Sequence, residues 1–267
     1  MNKFGLIAGN GVFPLEVAAA ARRRGFAVIA LAHLGETDPA LAAGVDSITW
    51  LKIGELQKMI DVLKAAGVER AAMAGGISRA GLVTSFAPDA RALRMLQRAG
   101  RFSDDVILRA VAAEIEADGI PVIDPVPLLE TALAHAGLEA GPAPSPNQMK
   151  DLKLAFAIIR ALGQFDIGQA VAVRDGVVAA VEAVEGTDAA LKRAATLCGK
   201  GMVVAKAAKP GQDLRFDRPA IGPGTLELLS EIGAAVIGVE TNIALVLQRE
   251  RTLAYATRLG ITVYGYG

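Results

Sequence analysis

Cysteine is nearly absent. Cys198 stands alone in 267 residues, which excludes an internal disulfide and any metal site built from cysteines. Aromatic residues make up only 4% of the chain while hydrophobic residues reach 52%. Small aliphatic side chains must therefore fill the core, and that material suits α/β layers better than an aromatic-rich sandwich. Neither sign of charge prevails, because 28 Lys and Arg face 28 Asp and Glu. No global basic field exists to attract nucleic acid. The two histidines, His33 and His135, stand in no ligand pattern and read as surface residues. No apolar run approaches the roughly 18–20 residues that span a bilayer. The opening MNKFGLIAGNG breaks into glycines too early for a signal peptide. The expectation is a cytoplasmic chain, with contact at a membrane surface left open.

The length suits one large domain or two of roughly 100–150 residues. Phe4 to Ala8 is a short apolar run, followed by Gly9-Asn10-Gly11-Val12-Phe13-Pro14, a helical pattern from Leu15, a stop at Gly25 and a second buried run from Phe26 to Leu31. This is the start of a right-handed βαβ unit. Its glycine turn should lie at the carboxyl end of the first strand, where open α/β sheets bind ligands. A dinucleotide site is disfavoured: Pro14 replaces the third glycine of GxGxxG, and the second strand ends Ala30-Leu31-Ala32-His33 without an acid for a ribose hydroxyl. A mononucleotide or phosphate site at Gly9, Asn10 and Gly11 is favoured over it, with a purely structural turn as the bland reading. After a strand near 45–51 and a helix over 54–66, the strand Arg70–Ala74 runs into a second glycine turn, Gly75-Gly76-Ile77-Ser78-Arg79. Arg79 is either a phosphate contact or a surface residue. Helices are expected over 88–98 and 104–118, then a strand at 121–123 and a short helix at 128–135. Ser103 suits an N-cap, and Asp104 and Asp105 suit the helix dipole. The same two aspartates are candidate ribose, base or metal contacts.

Proline and glycine are dense in GLEAGPAPSPNQ, from Gly137 to Gln148. This reads as a boundary, placing a first domain at 1–137, a linker at 138–147 and a second domain at 148–267. In the second half a helix over 149–162 precedes strands at 170–174 and 177–184, joined by the hairpin signal Asp175-Gly176. Glu182 and Glu185 lie among apolar neighbours there, and a buried carboxylate is costly unless paired or metal-bound. Thr187 or Asp188 is expected to cap the helix over 189–197. The stretch KAAKPGQDLRFDRPAIGPGT, Lys206 to Thr225, follows an apolar run at 201–205. It combines Lys206, Lys209, Asp213, Arg215 and Asp217 with a glycine-rich helix start. Such a set suits a phosphate ester and its metal ion: lysines neutralise phosphate, carboxylates offer hard oxygens, and N–H groups at a helix start favour an anion. A solvated loop of mutually paired charges is the bland reading. Strands at 234–239, 244–247 and 261–264 and a helix at 250–259 complete a mixed sheet. The fold class expected is α/β in two domains, an N-terminal Rossmann-like parallel sheet and a C-terminal mixed-sheet α/β domain.

Over essentially its whole length the chain resembles the LpxI family, UDP-2,3-diacylglucosamine pyrophosphatases of lipid A biosynthesis. The resemblance rests on GLIAGNGVFPLEVA, AGGISR, SDD at Ser103–Asp105 and DIGQAVAV at Asp166–Val173. It rests above all on AVEAVEGTDAAL at Ala180–Leu191 and KPGQDLRFDRPAIGPGT at Lys209–Thr225. It implies a two-domain hydrolase that cleaves UDP-2,3-diacylglucosamine to UMP and 2,3-diacylglucosamine 1-phosphate (lipid X), holds the lipid product between its domains, and depends on Mg2+ or another divalent cation such as Mn2+. It implies that an aspartate in an RxDxPxIG segment is essential, here Asp217. The catalytic candidates are then Asp217, Asp213 and Lys209, and the metal candidates Asp217, Glu185 and Asp188. Candidate substrate contacts are Gly9, Asn10, Gly11, Gly75, Gly76, Arg79, Asp104, Asp105, Gln169, Lys206, Gln212, Arg215 and Thr225. Transient contact with the inner-membrane surface is expected, no nucleic-acid partner is, and a homodimer is left open. The rival readings are a non-catalytic nucleotide or lipid sensor, another sugar-nucleotide pyrophosphatase, and a nucleotide-dependent ligase or kinase. The last lacks its phosphate loop, GxxxxGK[ST].

Overall fold

The computed structural model describes residues 2–100, 103–129 and 131–267; the side chains of Arg79 and Ala80 lie outside that description. The chain divides into two units, one comprising residues 1–130 with Asp213–Asp217, the other Thr131–Gln212 with Arg218–Gly267.

The first unit opens with β1 (Lys3–Ala8), α1 (Phe13–Arg23), β2 (Ala27–His33), β3 (Ser47–Leu51), α2 (Leu56–Ala65) and β4 (Arg70–Ala74). The short α3 (Arg79–Thr84), α4 (Ala90–Ala99) and α5 (Asp104–Ala117) follow. The four strands form a parallel sheet in the order β3-β2-β1-β4. Alternation along β1 assigns its faces: Phe4, Leu6 and Ala8 pack with Val17 and Ala21 of α1, whereas Ile7 packs with Ile60 and Leu63 of α2. A parallel sheet covered on both faces needs strands that are apolar on both sides, and β1 is so after its exposed Lys3. With β1 central, the loops after β1, β2 and β4 gather at one sheet edge.

The second unit contains β5 (Gly137–Ala140), α6 (Pro146–Gly163), β6 (Ala170–Arg174), β7 (Val177–Val181), α7 (Thr187–Cys198) and β8 (Val203–Lys206). Then come β9 (Ala220–Ile221), α8 (Pro223–Glu231), β10 (Val236–Glu240), β11 (Leu245–Val246), α9 (Arg249–Leu259) and β12 (Thr262–Tyr266). Its main sheet runs β5-β12-β10-β8-β6-β7, with β8, β10 and β12 parallel and β5 and β6 antiparallel to their neighbours. One face packs on Leu152, Phe156 and Ile159 of α6. The other packs on Leu191 of α7, Leu226 and Leu229 of α8 and Ala256 of α9. The expected hairpin forms at Asp175 (φ 50°) and Gly176 (φ 80°). The buried Asp151 carboxylate accepts both of their N–H groups, at 2.9 and 2.8 Å.

Several expectations are corrected. Residues read as a linker include β5, which pairs antiparallel with β12. They also include the start of α6, where Ser145 and Gln148 form a reciprocal capping box ahead of Pro146. Ser-Pro at a helix start looks like linker composition, yet it is a cap followed by a preorganised first residue. The strand at 121–123 reduces to a single bridge between Ala71 and Val122. The helix at 128–135 does not form among the described residues. Val126–Leu128 makes a 3-10 turn, and the Ala132 carbonyl and Ala134 N–H pair with Val246 and Ala244 instead. The return strand ends at Val181, not at 184. Gly186, rather than Thr187 or Asp188, occupies the N-cap of α7. His33 is buried, not a surface residue. Its Nδ1 lies 2.9 Å from the Ala8 carbonyl, and burial, outweighing that hydrogen bond, holds its imidazole below the ordinary value of 6.5.

Candidate functional site

In the first unit the two glycine turns interlock. Gly9 N–H donates to the Ala74 carbonyl and Asn10 N–H to the Gly76 carbonyl, each at 2.8 Å. Nothing larger fits: a Cβ on Gly9 would lie 2.2 Å from Gly76 O, and one on Gly75 (φ +82°) would lie 2.3 Å from Asn10 O. Gly9, Asn10, Gly75 and Gly76 are therefore brought together, and Gly11 (φ 80°) turns the chain toward α1. Arg79 starts α3, but its side chain lies outside the described residues.

Glu36 was not anticipated. It follows β2 by three residues, and its carboxylate accepts from Asn10 Nδ2 (3.0 Å), Ser78 N (2.8 Å) and Ser78 Oγ (2.6 Å). Burial pushes its carboxyl up, but the hydrogen bonds from Ser78 and Asn10 outweigh it and hold the group below its ordinary 4.5. An open cleft of about 590 Å³ is lined by Leu34, Glu36, Thr37, Asp38 and Trp50. An acid for a ribose hydroxyl is expected at the end of β2, and Glu36 lies beyond that point. An acid a few residues further, in the loop itself, was the available signal.

The segment Asp213–Asp217 also belongs to the first unit. Phe216 is buried in that unit's core, in the cluster of Met59, Ile60 and Ile115. Arg215 binds Asp213 in two prongs, Nε to Oδ1 at 3.1 Å and Nη2 to Oδ2 at 2.9 Å. Its Nη1 reaches Glu116 Oε1 and the Val122 carbonyl, each at 3.0 Å. Its guanidinium lies 4.5 Å from the Phe216 ring centroid. The Asp213 N–H donates to Asp105 Oδ1 at 3.0 Å, and Asp105 accepts from Arg109. The hydrogen bond from Arg215 holds the Asp213 carboxyl below its ordinary 3.8. Arg215, Asp213 and Asp105 thus anchor the segment, Asp104 is exposed at the start of α5, and Asp217 is half-buried.

In the second unit, Lys206 Nζ donates to the Ala220 carbonyl at 3.0 Å, and Lys209 pairs with Asp166. Gln212 Oε1 accepts the Lys209 N–H at 2.8 Å, and Thr225 Oγ1 accepts the Gly222 N–H at 3.3 Å. Gln169 donates its N–H to the buried Glu182 carboxylate at 3.1 Å. Its Oε1 is buried without a partner among the described residues. Glu182 also accepts from Thr187 Oγ1 at 2.9 Å, which satisfies this buried acid without a metal. Arg193 binds Glu185 at 2.5 Å and holds its carboxyl below the ordinary 4.5. Asp188 sits in the first turn of α7. The metal candidates Asp217, Glu185 and Asp188 are divided between the two units. Asp217 belongs to the first and the other two to the second, and among the described residues no three Asp, Glu, His or Cys side chains gather to hold one.

Chemically, the first unit offers a tight pair of glycine turns beside a carboxylate. The Lys206–Thr225 stretch supplies two lysines to the second unit and Asp217 to the first. Among the described residues no helix is long and apolar enough to cross a membrane.

The pattern describing the LpxI N-terminal domain matches residues 3–132, and that describing the LpxI C-terminal domain matches 135–264. A curated protein of Caulobacter vibrioides, UDP-2,3-diacylglucosamine pyrophosphatase LpxI, is 37% identical over 278 aligned positions, covering 99% of this chain and 98% of that protein. Among solved structures, a multifunctional pyruvate carboxylase from Rhizobium etli aligns with a TM-score of 0.30 and 15% identity, over 64% of this chain and 14% of that one. A leucoanthocyanidin reductase–NADPH complex from Vitis vinifera aligns at 0.27 and 20% identity, over 45% and 48%. Likenesses this faint carry no argument. The two domain matches in sequence order, together with the end-to-end similarity to the Caulobacter protein, show that the chain belongs to the LpxI family.

Proposed function

We propose that this chain is a pyrophosphatase that cleaves UDP-2,3-diacylglucosamine to UMP and lipid X. The observation that carries the reading is the end-to-end similarity to a pyrophosphatase of that name, 37% identical over 99% of the chain. In the reaction a water oxygen bonds to one phosphorus, the P–O–P bridge breaks at that phosphorus, the departing phosphate keeps the bridging oxygen and its electron pair, and the protons of the water pass to solvent. The glycine turns of the first unit are assigned to the UMP moiety because they stand at the carboxyl end of a parallel sheet, where open α/β sheets bind ligands; the N–H groups of Gly9, Asn10 and Gly76 are paired within the turns. Asp217 is the carboxylate assigned to the reacting centre. Arg215, which sequence alone favoured as a phosphate contact, is assigned to holding the Asp217 segment.

Dependence on magnesium or manganese is part of the proposal as a property of the reaction. Among the described residues no three Asp, Glu, His or Cys side chains gather within either unit to hold such an ion. Contact with the inner-membrane surface is proposed because the substrate is diacylated.

The test is UMP release from UDP-2,3-diacylglucosamine by purified protein, with magnesium, with EDTA, and beside Asp217→Ala. Release that Asp217→Ala abolishes supports the reading, and loss in EDTA supports the metal requirement. Tight binding of this substrate without release would replace the enzyme by a sensor.

A further inference from the structure

One carboxylate joins three loops at the ligand-binding edge of the first unit. Glu36 comes from the loop after β2, Asn10 from the loop after β1 and Ser78 from the loop after β4. Glu36 Oε2 accepts from Asn10 Nδ2 and Ser78 N, and Oε1 accepts from Ser78 Oγ. The network extends one step further on each side: Asn10 Oδ1 accepts the Gly76 N–H at 3.3 Å, and Ser78 Oγ accepts the Gly81 N–H at 2.9 Å. A Cβ on Gly81 would lie 2.0 Å from Glu36 Oε1, so replacing Gly81 would force the Glu36 side chain to shift.

An acid near the end of β2 ordinarily takes ribose hydroxyls in a nucleotide-binding α/β sheet. Here three of the roughly four acceptor positions of the carboxylate are occupied by the protein's own donors. The group is thus committed to the loops, not to a sugar. We propose that Glu36 is a positioning residue for the nucleotide end of the substrate. It fixes the Asn10 and Ser78 loops so that both glycine turns keep the shape that receives UMP. This rests on the reading that the turns hold the UMP moiety. Such a residue stabilises bound substrate and transition state alike, so its loss raises KM and leaves kcat nearly unchanged.

The experiment measures steady-state hydrolysis of UDP-2,3-diacylglucosamine and calorimetric binding of UMP and of lipid X. It compares wild type, Glu36→Ala, Glu36→Gln, Ser78→Ala and the double Ala variant, each checked for folding by circular dichroism. Glu36→Ala is expected to raise KM and the UMP Kd about tenfold, with kcat and lipid X binding within about twofold. Glu36→Gln keeps one oxygen for Asn10 and Ser78 N, and its amide can donate to Ser78 Oγ, so it should recover most of the loss. Ser78→Ala should raise KM about threefold, and adding it to Glu36→Ala should change little further, since the two share one network. A wild type that hydrolyses the substrate and binds UMP, beside a folded Glu36→Ala with unaltered KM and UMP Kd, overturns the proposal. Should Glu36→Ala not fold, an unaltered KM and UMP Kd in Ser78→Ala overturns it. If wild type neither turns over the substrate nor binds UMP, the underlying reading fails first and takes the inference with it.

Discussion

Replacing Arg215 with leucine tests whether its guanidinium is an anchor or a phosphate contact. The change deletes the two-pronged bond to Asp213, the bonds to Glu116 and the Val122 carbonyl, and the stacking on Phe216. The Arg215 side chain is 37% exposed, Asp213 16% and Glu116 40%. The Glu116 pair is solvated and contributes about 0.5 kcal/mol. The Asp213 pair is better sheltered, and its loss leaves a half-buried carboxylate under-satisfied, about 1.5 kcal/mol after discounting for solvent. The carbonyl bond and the stacking add about 0.5 kcal/mol each. The expected destabilisation is about 2–3 kcal/mol, a fall in Tm of roughly 5–10 °C. Urea and thermal unfolding measure it, and hydrolysis of UDP-2,3-diacylglucosamine at a temperature where the variant is folded measures its effect on the Asp217 segment. A fall in kcat is expected, because the segment that carries Asp217 loses its hold. Arg215→Lys should recover less than half, since an ammonium cannot reproduce the fork. Asp213 has its pKa lowered in the folded state by Arg215. Its stabilisation is present above the ordinary 3.8 and is lost as pH falls through the lowered value. The wild-type advantage over Arg215→Leu should therefore shrink only in that acidic window. A variant that keeps full stability while KM alone rises would refute the anchoring argument and return Arg215 to the substrate.

Three further outcomes follow from particular contacts. Gly75→Ala should lower stability by about 2–4 kcal/mol in denaturant titration, because the new Cβ would lie 2.3 Å from Asn10 O at a φ of +82°; an unchanged midpoint would show that the turns can separate. Glu182→Ala should cost about 1–3 kcal/mol by leaving the Gln169 N–H and the Thr187 hydroxyl without their acceptor; Glu182→Gln, which keeps one acceptor oxygen, should cost less, and a loss of turnover with no loss of stability would give Glu182 a chemical role instead. Burial lowers the pKa of His33 from 6.5, so below that value the unfolded chain binds the proton more readily and stability falls with falling pH; His33→Gln should flatten that slope as pH falls from 6.5, and equal slopes in both proteins would reject it.

Much of the chain was legible because local signals and tertiary needs agree. The run Phe4–Ala8, the turn Gly9–Gly11 and the stop at Gly25 placed β1, α1 and β2, and Asp175-Gly176 placed the turn of a hairpin whose return strand ends sooner than read. Failures came where backbone pairing at long range decided. Gly137–Ala140 is rich in turn formers yet pairs with β12, and the backbone of residues 132–134 is held by partners more than a hundred residues away. At the site, the glycine turns were visible because glycine at a strand end has few other reasons. Glu36 was not, because nothing local says that a loop acid will fold back onto two neighbouring loops.

The sequence by itself determined the α/β class, the two glycine turns and the ordered motifs by which the family is known, since hydrophobic periodicity and turn chemistry are local properties. Only the tertiary structure decided how the charged residues are used. It divided KAAKPGQDLRFDRPAIGPGT between two units at Gln212/Asp213 and Asp217/Arg218. It committed Arg215 to Asp213 and Glu116, Glu185 to Arg193, and Lys209 to Asp166. A charge in sequence has no fixed partner. Its role is set by whichever opposite charge or hydrogen-bond donor the fold brings within about 3 Å.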